Sequence, residues 1–211
     1  SKKNKLSYYK KLIKLIIKLQ KIKVRNVYKI GKYKLRFEKY TKKNLHKESD
    51  LFFDWYLRYL FNSKKSKYIK KKIKKELNRI YKSLIMKNNY FTHRDFHAAN
   101  IMISKKGFGL IDSQDAIIGN PLYDVASLID DVRIKIPKKI QEELFQYYLK
   151  RSKFKKTNLK NDFDILSVQR NLKILGIFVR LYKRDKKHKY LRYLPYTWSL
   201  IEKRMRNPIF N

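Results

Sequence analysis

Apolar residues recur every three to four positions in several segments of the chain, which is the spacing of one face of an α-helix. Ser1 to Lys23 and Tyr68 to Lys87 show this pattern, with lysines on the opposite face. The apolar stripe of the second segment consists of Ile69, Ile73, Leu77, Ile80 and Leu84. Stripes of this width usually pack against a protein core. We therefore predict an amphipathic helix in each segment.

Five other segments carry a weaker form of the same signal. Helices are predicted at Asp50 to Leu60, Tyr123 to Asp131, Lys138 to Tyr148, Asp162 to Tyr182 and Tyr190 to Met205. Asp50 is the expected N-cap of the first of them. The polar stretch Asn62 to Lys67 is expected to connect two helices, and Ser152 to Asn161 is the best candidate for a loop. Val27 to Tyr40 is rich in Tyr and Phe and is expected to be extended.

One short hairpin is predicted between the helices. Ile101 to Ile103 and Phe108 to Ile111 are apolar runs of strand length, and the intervening residues 104–107 end in a glycine, as turns often do. The predicted fold class is therefore α+β and mostly helical, with a small β-hairpin.

Composition narrows the class of protein. The 211 residues suffice for one medium domain or two small ones, and 43% of them are hydrophobic, so a folded chain is expected. The absence of cysteine excludes disulfides, cysteine-ligated zinc and a cysteine nucleophile. No apolar run approaches the roughly 20 residues that cross a bilayer, and we expect a cytoplasmic protein without a membrane span.

The net charge of +38 has two interpretations. Such a charge gives non-specific attraction to polyanions, so weak, salt-sensitive binding to nucleic acid is expected. However, 42 of the 55 basic residues are lysine, and the abundance of Lys, Ile, Asn and Tyr is also what an A+T-rich genome encodes. Both interpretations stay open.

Acidic residues are concentrated in one window of this basic chain. Six of the seventeen lie between Thr92 and Asp131, where only three residues are basic, so the window has a net charge of −3. Its carboxylates are Asp95, Asp112, Asp115, Asp124, Asp130 and Asp131. A local reversal of sign indicates a site for a divalent cation or for proton transfer.

Three residues of this window form a chemical pattern. A loop carboxylate at Asp95 can deprotonate a hydroxyl. Asn100, five residues later, and Asp112, directly after the hairpin, offer hard oxygen ligands of the kind that Mg²⁺ prefers. Few protein ligands suffice when phosphates and waters complete the shell, which is the arrangement of phosphoryl transfer.

The segment from His93 to Asp112 resembles the H-R-D-x-x-x-x-N and D-F-G motifs of protein kinases, and more closely the H-x-D-x-x-x-x-N and I-D motifs of the aminoglycoside phosphotransferase branch of that superfamily. Further stretches are similar to the bacterial cell-wall amino-sugar kinases, which phosphorylate the anomeric hydroxyl of N-acetylmuramate and N-acetylglucosamine during peptidoglycan recycling. These stretches are residues 50–57, 111–116, 119–121, 123–128 and 169–178.

The resemblance implies roles for individual residues. Asp95 would be the catalytic base, Asn100 and Asp112 would hold Mg²⁺, and Asp124 would brace the catalytic loop. ATP would be the phosphoryl donor and a small sugar the acceptor. Ser113 departs from the family, which usually has Phe beneath the metal-binding carboxylate.

Other residues keep two interpretations each. His93 and Arg94 are expected to support the loop. The candidates for substrate contact are Asp54, Trp55, His97, Gln114 and Asp115, whose alternative roles are structural hydrogen bonding, core packing or, for His97, a solvated loop position. Arg170, Lys173 and Arg180 share a helical face that either meets an anionic group of the substrate or faces solvent.

The resemblance covers a kinase-like C-terminal lobe over residues 1–211. None of the five glycines forms a G-x-G-x-x-G loop, so an N-terminal lobe that covers ATP is expected in cis upstream, and the isolated chain is expected to be inactive. The alternatives are a kinase of another small alcohol, such as an aminoglycoside, choline or homoserine, and a non-catalytic basic binding module.

Overall fold

The computed structural model describes residues 2–105, 107–154 and 159–211. The helices are α1 Lys2–Leu19, α2 Lys42–Leu51, α3 Arg58–Leu60, α4 Ser63–Lys82, α5 Leu122–Ile129, α6 Lys138–Arg151, α7 Leu159–Lys183 and α8 Leu194–Met205. The strands are β1 Val27–Ile30, β2 Tyr33–Arg36, β3 Tyr90–Thr92, β4 Ile101–Ser104, β5 Gly107–Leu110 and β6 Ile117–Gly119. A π-helical segment, Phe52–Leu57, joins α2 to α3. Short 3₁₀ turns lie at Ala98–Asn100, Ser113–Asp115, His188–Tyr193 and Pro208–Phe210.

The elements form two compact units. The first contains Ser1–Tyr40 and Met86–Thr157, and the second contains Thr41–Ile85 and Asn158–Asn211. All six strands belong to the first unit, and the second is helical. The predicted class, α+β and mostly helical, is confirmed.

The strands pair as three two-stranded antiparallel sheets, β1 with β2, β3 with β6, and β4 with β5. The predicted hairpin is the third of these, with Ile101 opposite Leu110. The expected extended segment after Val27 is a second hairpin, which turns at Gly31 with φ of 59°. Strands β3 and β6 were not predicted, because three-residue strands are too short to show an alternating pattern.

Several boundaries differ from the sequence prediction. Asp50 is not an N-cap, because α2 begins at Lys42, where the Thr41 amide and hydroxyl donate to Asn44 Oδ1 (2.8 and 2.5 Å). The connection expected at Asn62 to Lys67 is helical, because Asn62 Oδ1 accepts from the Lys65 amide (2.9 Å) and caps α4. In the loop expected at 152–161, the last three residues already belong to α7, and residues 155–158 lie outside the described part.

Each unit has its own apolar core. In the first unit, α1 packs against α6, and Ile13 and Ile16 are buried. In the second, α7 contacts α2, α8 and the π-helical segment. Gly176 is required on α7, because a Cβ there would overlap the Leu51 carbonyl. Among the described helices, none combines the length and the apolar character needed to cross a membrane.

Candidate functional site

The candidate catalytic loop, residues 93–100, begins where strand β3 ends. Its base is held by the β3–β6 pair, in which Tyr90 is opposite Gly119 and Thr92 is opposite Ile117. Gly119 allows close approach, because a Cβ at this position would lie 2.7 Å from Thr92 Oγ1. The loop therefore starts from a tightly fixed backbone.

Asp124 on α5 holds the start of the loop. Its Oδ2 accepts from the His93 amide (2.7 Å) and its Oδ1 from the Arg94 amide (3.0 Å). The carboxylate is 3% exposed, so these hydrogen bonds form in a low-dielectric setting, where they are strong. They fix Arg94 with φ of 70°, a left-handed conformation that a residue with a Cβ rarely adopts.

Asp131 holds the other end of the loop. Its Oδ2 accepts from the Ala98 amide (3.1 Å), and its Oδ1 accepts from the Arg133 amide (2.9 Å). The residue is 1% exposed. Sequence reasoning counted Asp131 in the acidic window but assigned it no role. The available signal was a pair of aspartates directly after a mostly apolar helix.

Backbone contacts join the three predicted chemical residues. Asn100 Nδ2 donates to the Asp95 carbonyl (3.1 Å), and the Ile111 amide donates to the Asn100 carbonyl (3.1 Å). Asp95 and the residue before Asp112 are thus both bound to Asn100. Asp112 is exposed, and its φ of 59° is left-handed, a strained conformation that is concentrated at functional sites.

His93 is a buried histidine beneath the loop. Its ring is 1% exposed and lies edge-on to Phe96, with 6.1 Å between centroids. Burial lowers the pKa of His93, whereas the charges of Asp95 and Asp112 and the backbone of Ile111 act in the opposite direction. The net effect favours the neutral imidazole, which suits a supporting role better than proton transfer.

Arg94 connects the loop to the turn after Asp112. Its Nη1 donates to the Asp115 carbonyl (3.3 Å), and its guanidinium lies 5.9 Å from the centroid of the Tyr40 ring. Ser127 Oγ donates to the Arg94 carbonyl (3.4 Å). Both side-chain contacts stay within the first unit.

The remaining candidates for substrate contact near the loop differ in how exposed their side chains are. His97 is 7% exposed, so it is not the solvated loop residue of the alternative interpretation. Gln114 and Asp115 are exposed, as is Ser113 at the position where the family usually has a packed Phe.

Asp54 and Trp55 belong to the second unit. With Arg58, Tyr59 and Lys183 they line an open cavity of about 510 Å³. Asp54 Oδ1 accepts from Lys70 Nζ (2.8 Å). Burial lowers the pKa of Lys70, but the hydrogen bond and charge of Asp54, together with Asp50, raise it overall.

Two oxygen-bearing side chains near the loop are the candidates for a magnesium site. In the part of the chain that the structure describes, no group of three or more His, Asp or Glu side chains is placed to hold a metal ion. The candidate donors that the sequence predicts are the Asp112 carboxylate and the Asn100 amide oxygen, and the Asn100 amide nitrogen donates to the Asp95 carbonyl. Two hard oxygens fit a Mg²⁺ ion that keeps waters and phosphate oxygens in its shell.

Comparisons with known proteins show which family the chain is similar to. The chain matches the phosphotransferase enzyme family (APH) over residues 3–159. It is 30% identical over 170 residues to an N-acetylmuramate/N-acetylglucosamine kinase of Pseudomonas aeruginosa, covering 77% of this chain and 50% of that protein. It is 28% identical over 163 residues to the Neisseria meningitidis kinase of the same name, covering 74% and 49%. The chain thus spans about half the length of these curated relatives.

Proposed function

This chain belongs to the phosphotransferase enzyme family, and from that premise we propose that it is the catalytic and acceptor-binding part of an ATP-dependent kinase of a small sugar. The observation that carries the proposal is the set of contacts around Asn100. Its side chain binds the backbone of Asp95, and its carbonyl binds the residue before Asp112. A proton acceptor and two oxygen ligands for a cation are thereby linked through one residue.

The proposed mechanism assigns one task to each residue. Asp95 accepts the proton of the attacking sugar hydroxyl while the oxygen forms its bond to the γ-phosphorus and the bond to ADP breaks. Asn100 and Asp112 would hold Mg²⁺, which would neutralise phosphate charge. Asp124 and His93 position the loop from below.

The acceptor that we propose is N-acetylmuramate or N-acetylglucosamine, phosphorylated at the anomeric hydroxyl in peptidoglycan recycling. Support comes from the names of the relatives, because those proteins cover three quarters of this chain. We place the reaction in the cytoplasm, where ATP is available. An aminoglycoside, choline or homoserine is the alternative acceptor.

We further propose that the lobe covering ATP is supplied in cis by a longer protein. The half-length match to the relatives supports this, as does the absence of a G-x-G-x-x-G loop from the sequence. The catalytic test accordingly uses the full-length protein.

The test of catalysis is Asp95→Asn in the full-length protein. We expect phosphotransfer to either sugar to fall about 10²- to 10⁴-fold, because the base is lost while the side-chain volume is kept. Asp185→Asn is the matched control, since Asp185 is a carboxylate that pairs with Arg184 at the surface. Turnover that is unchanged in Asp95→Asn, with wild-type thermal unfolding, would contradict the assignment.

A further inference from the structure

The second unit contains an apolar cavity that the proposed reaction does not use. It lies between α4, α7 and α8 and has a volume of about 580 Å³. Ligand pockets in proteins commonly measure roughly 300–1,000 Å³ and are mostly apolar. Every lining residue belongs to the second unit, so the cavity is complete within that unit. Its buried lining residues are Phe52, Leu77, Ile80, Val168, Leu172 and Ile201.

One side of the cavity rim is closed and another is open to solvent. Arg79 Nη2 donates to the Phe210 carbonyl (3.3 Å), which ties the last part of α4 to a lining residue at the end of the chain. Met205, in contrast, is 48% exposed, and the lining residues Lys72 and Lys75 are exposed as well. A ligand therefore reaches the cavity from solvent past these three side chains.

The charged residues at the rim leave a net positive charge there. Glu76 accepts a hydrogen bond from Arg79 Nε (3.0 Å), so its carboxylate is already balanced. The Lys72 ammonium lies 4.6 Å from the centroid of the Tyr68 ring, and in the described part of the chain neither Lys72 nor Lys75 has a carboxylate partner. Lysine stems cover apolar surface while the ammonium stays in water. The rim is thus positive whatever the origin of the chain's excess of lysine.

We propose that this cavity binds a free fatty acid, with its aliphatic chain among the buried side chains and its carboxylate at Lys72 and Lys75. The aliphatic chain gains free energy in proportion to the apolar area that it removes from water. The carboxylate stays in contact with water at the rim, so it avoids the cost of burying a charge. A sugar does not suit this cavity, because its hydroxyls would lose their hydrogen bonds to water among apolar side chains. The site is independent of the proposed phosphotransfer.

Binding is measured on the full-length protein labelled with fluorotryptophan, by calorimetry and by fluorine NMR. The ring of Trp198 lines the cavity, and its signal is identified by its loss in Trp198→Phe. Trp55 lines the other cavity of the second unit and serves as an internal control. The probes are dodecanoate, octanoate and dodecyltrimethylammonium, each at concentrations where it is monomeric.

The length and the charge of the probe should both affect the affinity. We expect dodecanoate to bind saturably and to shift the Trp198 signal but not the Trp55 signal. Octanoate should bind more weakly, by about fourfold for each methylene that it lacks. Dodecyltrimethylammonium has an aliphatic tail of the same length and the opposite charge, and should bind about tenfold more weakly than dodecanoate.

Variants at the rim separate the effect of charge from that of apolar contact. Met205→Glu and Met205→Lys both replace an exposed apolar side chain but add opposite charges, and the first should bind dodecanoate about tenfold more weakly than the second. The double variant Lys72→Met/Lys75→Met should weaken binding about 3- to 30-fold. Lys64→Met/Lys67→Met is the matched control, because it removes the same charge from exposed positions of α4 outside the cavity, and should change the affinity less than about twofold.

The outcomes decide between this site and general attraction to a basic protein. A shift of the Trp198 signal that depends on Lys72 and Lys75 supports the site. Equal affinity for dodecyltrimethylammonium, or equal weakening by both lysine pairs, would overturn the proposal. So would a Trp198 signal that dodecanoate leaves unchanged in the folded protein, including the case in which only vesicles of phosphatidylglycerol bind. The kinase proposal is tested separately by Asp95→Asn.

Discussion

Two buried carboxylates of the first unit and two of the second have different kinds of hydrogen-bond partner. In the first unit, Asp124 and Asp131 accept hydrogen bonds from backbone amides of the candidate catalytic loop and its surroundings. In the second unit, Glu48 and Asp164 accept from side chains: Glu48 from Gln169 and Lys173, and Asp164 from Asn207 and Lys160. Asp164 also forms an ion pair with Arg204.

This difference in partners separates carboxylates that position the loop from carboxylates that stabilise the packing of helices. A carboxylate bound to amides fixes the path of the chain, including the left-handed Arg94. A carboxylate bound to side chains ties one helix to another, as Glu48 ties α2 to α7. Loss of the first kind should therefore misplace the loop, and loss of the second kind should lower the free energy of unfolding.

Among the variants that test this comparison, the largest effect is expected from Asp124→Asn. One amide of the loop loses its acceptor, because the new side-chain NH₂ faces a backbone N–H. We expect kcat in the full-length protein to fall about 100-fold or more, since misplacement of a catalytic group by about 1 Å has such effects. Hydrogen exchange at the amides of His93 and Arg94 should accelerate. Normal exchange there would contradict the bracing role, and Asp185→Asn serves as the control.

The next effect is a loss of stability in the second unit. Glu48→Gln leaves Lys173 without its carboxylate at a position where the lysine side chain is 12% exposed. We expect the free energy of unfolding to fall by about 3 kcal/mol, measured by urea denaturation, with unchanged exchange at the loop amides. Glu202→Gln makes the same change on the exposed side of α8 and should alter stability by less than about 0.5 kcal/mol. If Glu48→Gln mainly accelerated loop exchange, the comparison between the units would fail.

A smaller loss of stability is expected where a glycine lies close to neighbouring atoms. In Gly176→Ala the new methyl group meets the Leu51 carbonyl, and in Gly119→Ala it meets the Thr92 side chain. Both variants should lose about 1–3 kcal/mol, with the greater loss at Gly176, because a backbone carbonyl yields less than a side chain. Gly109→Ala is the control, since its methyl group would lie 3.8 Å from Met102 Cβ, an ordinary contact. Equal stability of all three variants in thermal unfolding would refute the close approach.

The smallest effect is a pH dependence from His93. Burial lowers its pKa below the ordinary value of 6.5, so below that pH the unfolded chain takes up a proton that the folded chain does not. The contribution of His93 to stability is therefore complete above about pH 6.5 and decreases as the pH falls. Urea denaturation between about pH 5 and 7 should show a flatter profile for His93→Gln than for the wild type. The exposed His188→Gln should keep the wild-type slope.

The hairpin and the position of the candidate catalytic loop could be read from the sequence because their signals are local. The spacing of Asp95, Asn100 and Asp112 lies within eighteen residues, and the hairpin strands are separated by a short turn containing glycine. The long helices were likewise visible from their own apolar residues. The boundary of α2 was missed because its residues are mostly polar, and the capping interaction between Thr41 and Asn44 was not recognised.

The long-range features could not be predicted from one sequence. The pairing of β3 with β6 joins segments about 27 residues apart in the chain, and each strand has only three residues. Glu48 and Gln169 are separated by 121 positions, so their hydrogen bond leaves no local pattern. The burial of Arg170 could not be predicted either. Helical periodicity indicates which face of α7 the residue lies on, but not what packs against that face.

The left-handed backbone of Asp112 has a consequence for the engineering of this protein. Glycine adopts that conformation without steric cost, and asparagine adopts it more readily than most residues. A selection for thermal stability alone would therefore favour Asp112→Gly, and would remove the carboxylate that we propose for magnesium. Laboratory evolution of a more robust variant should monitor this codon, because a gain in thermal stability at this position is a loss of the proposed magnesium ligand.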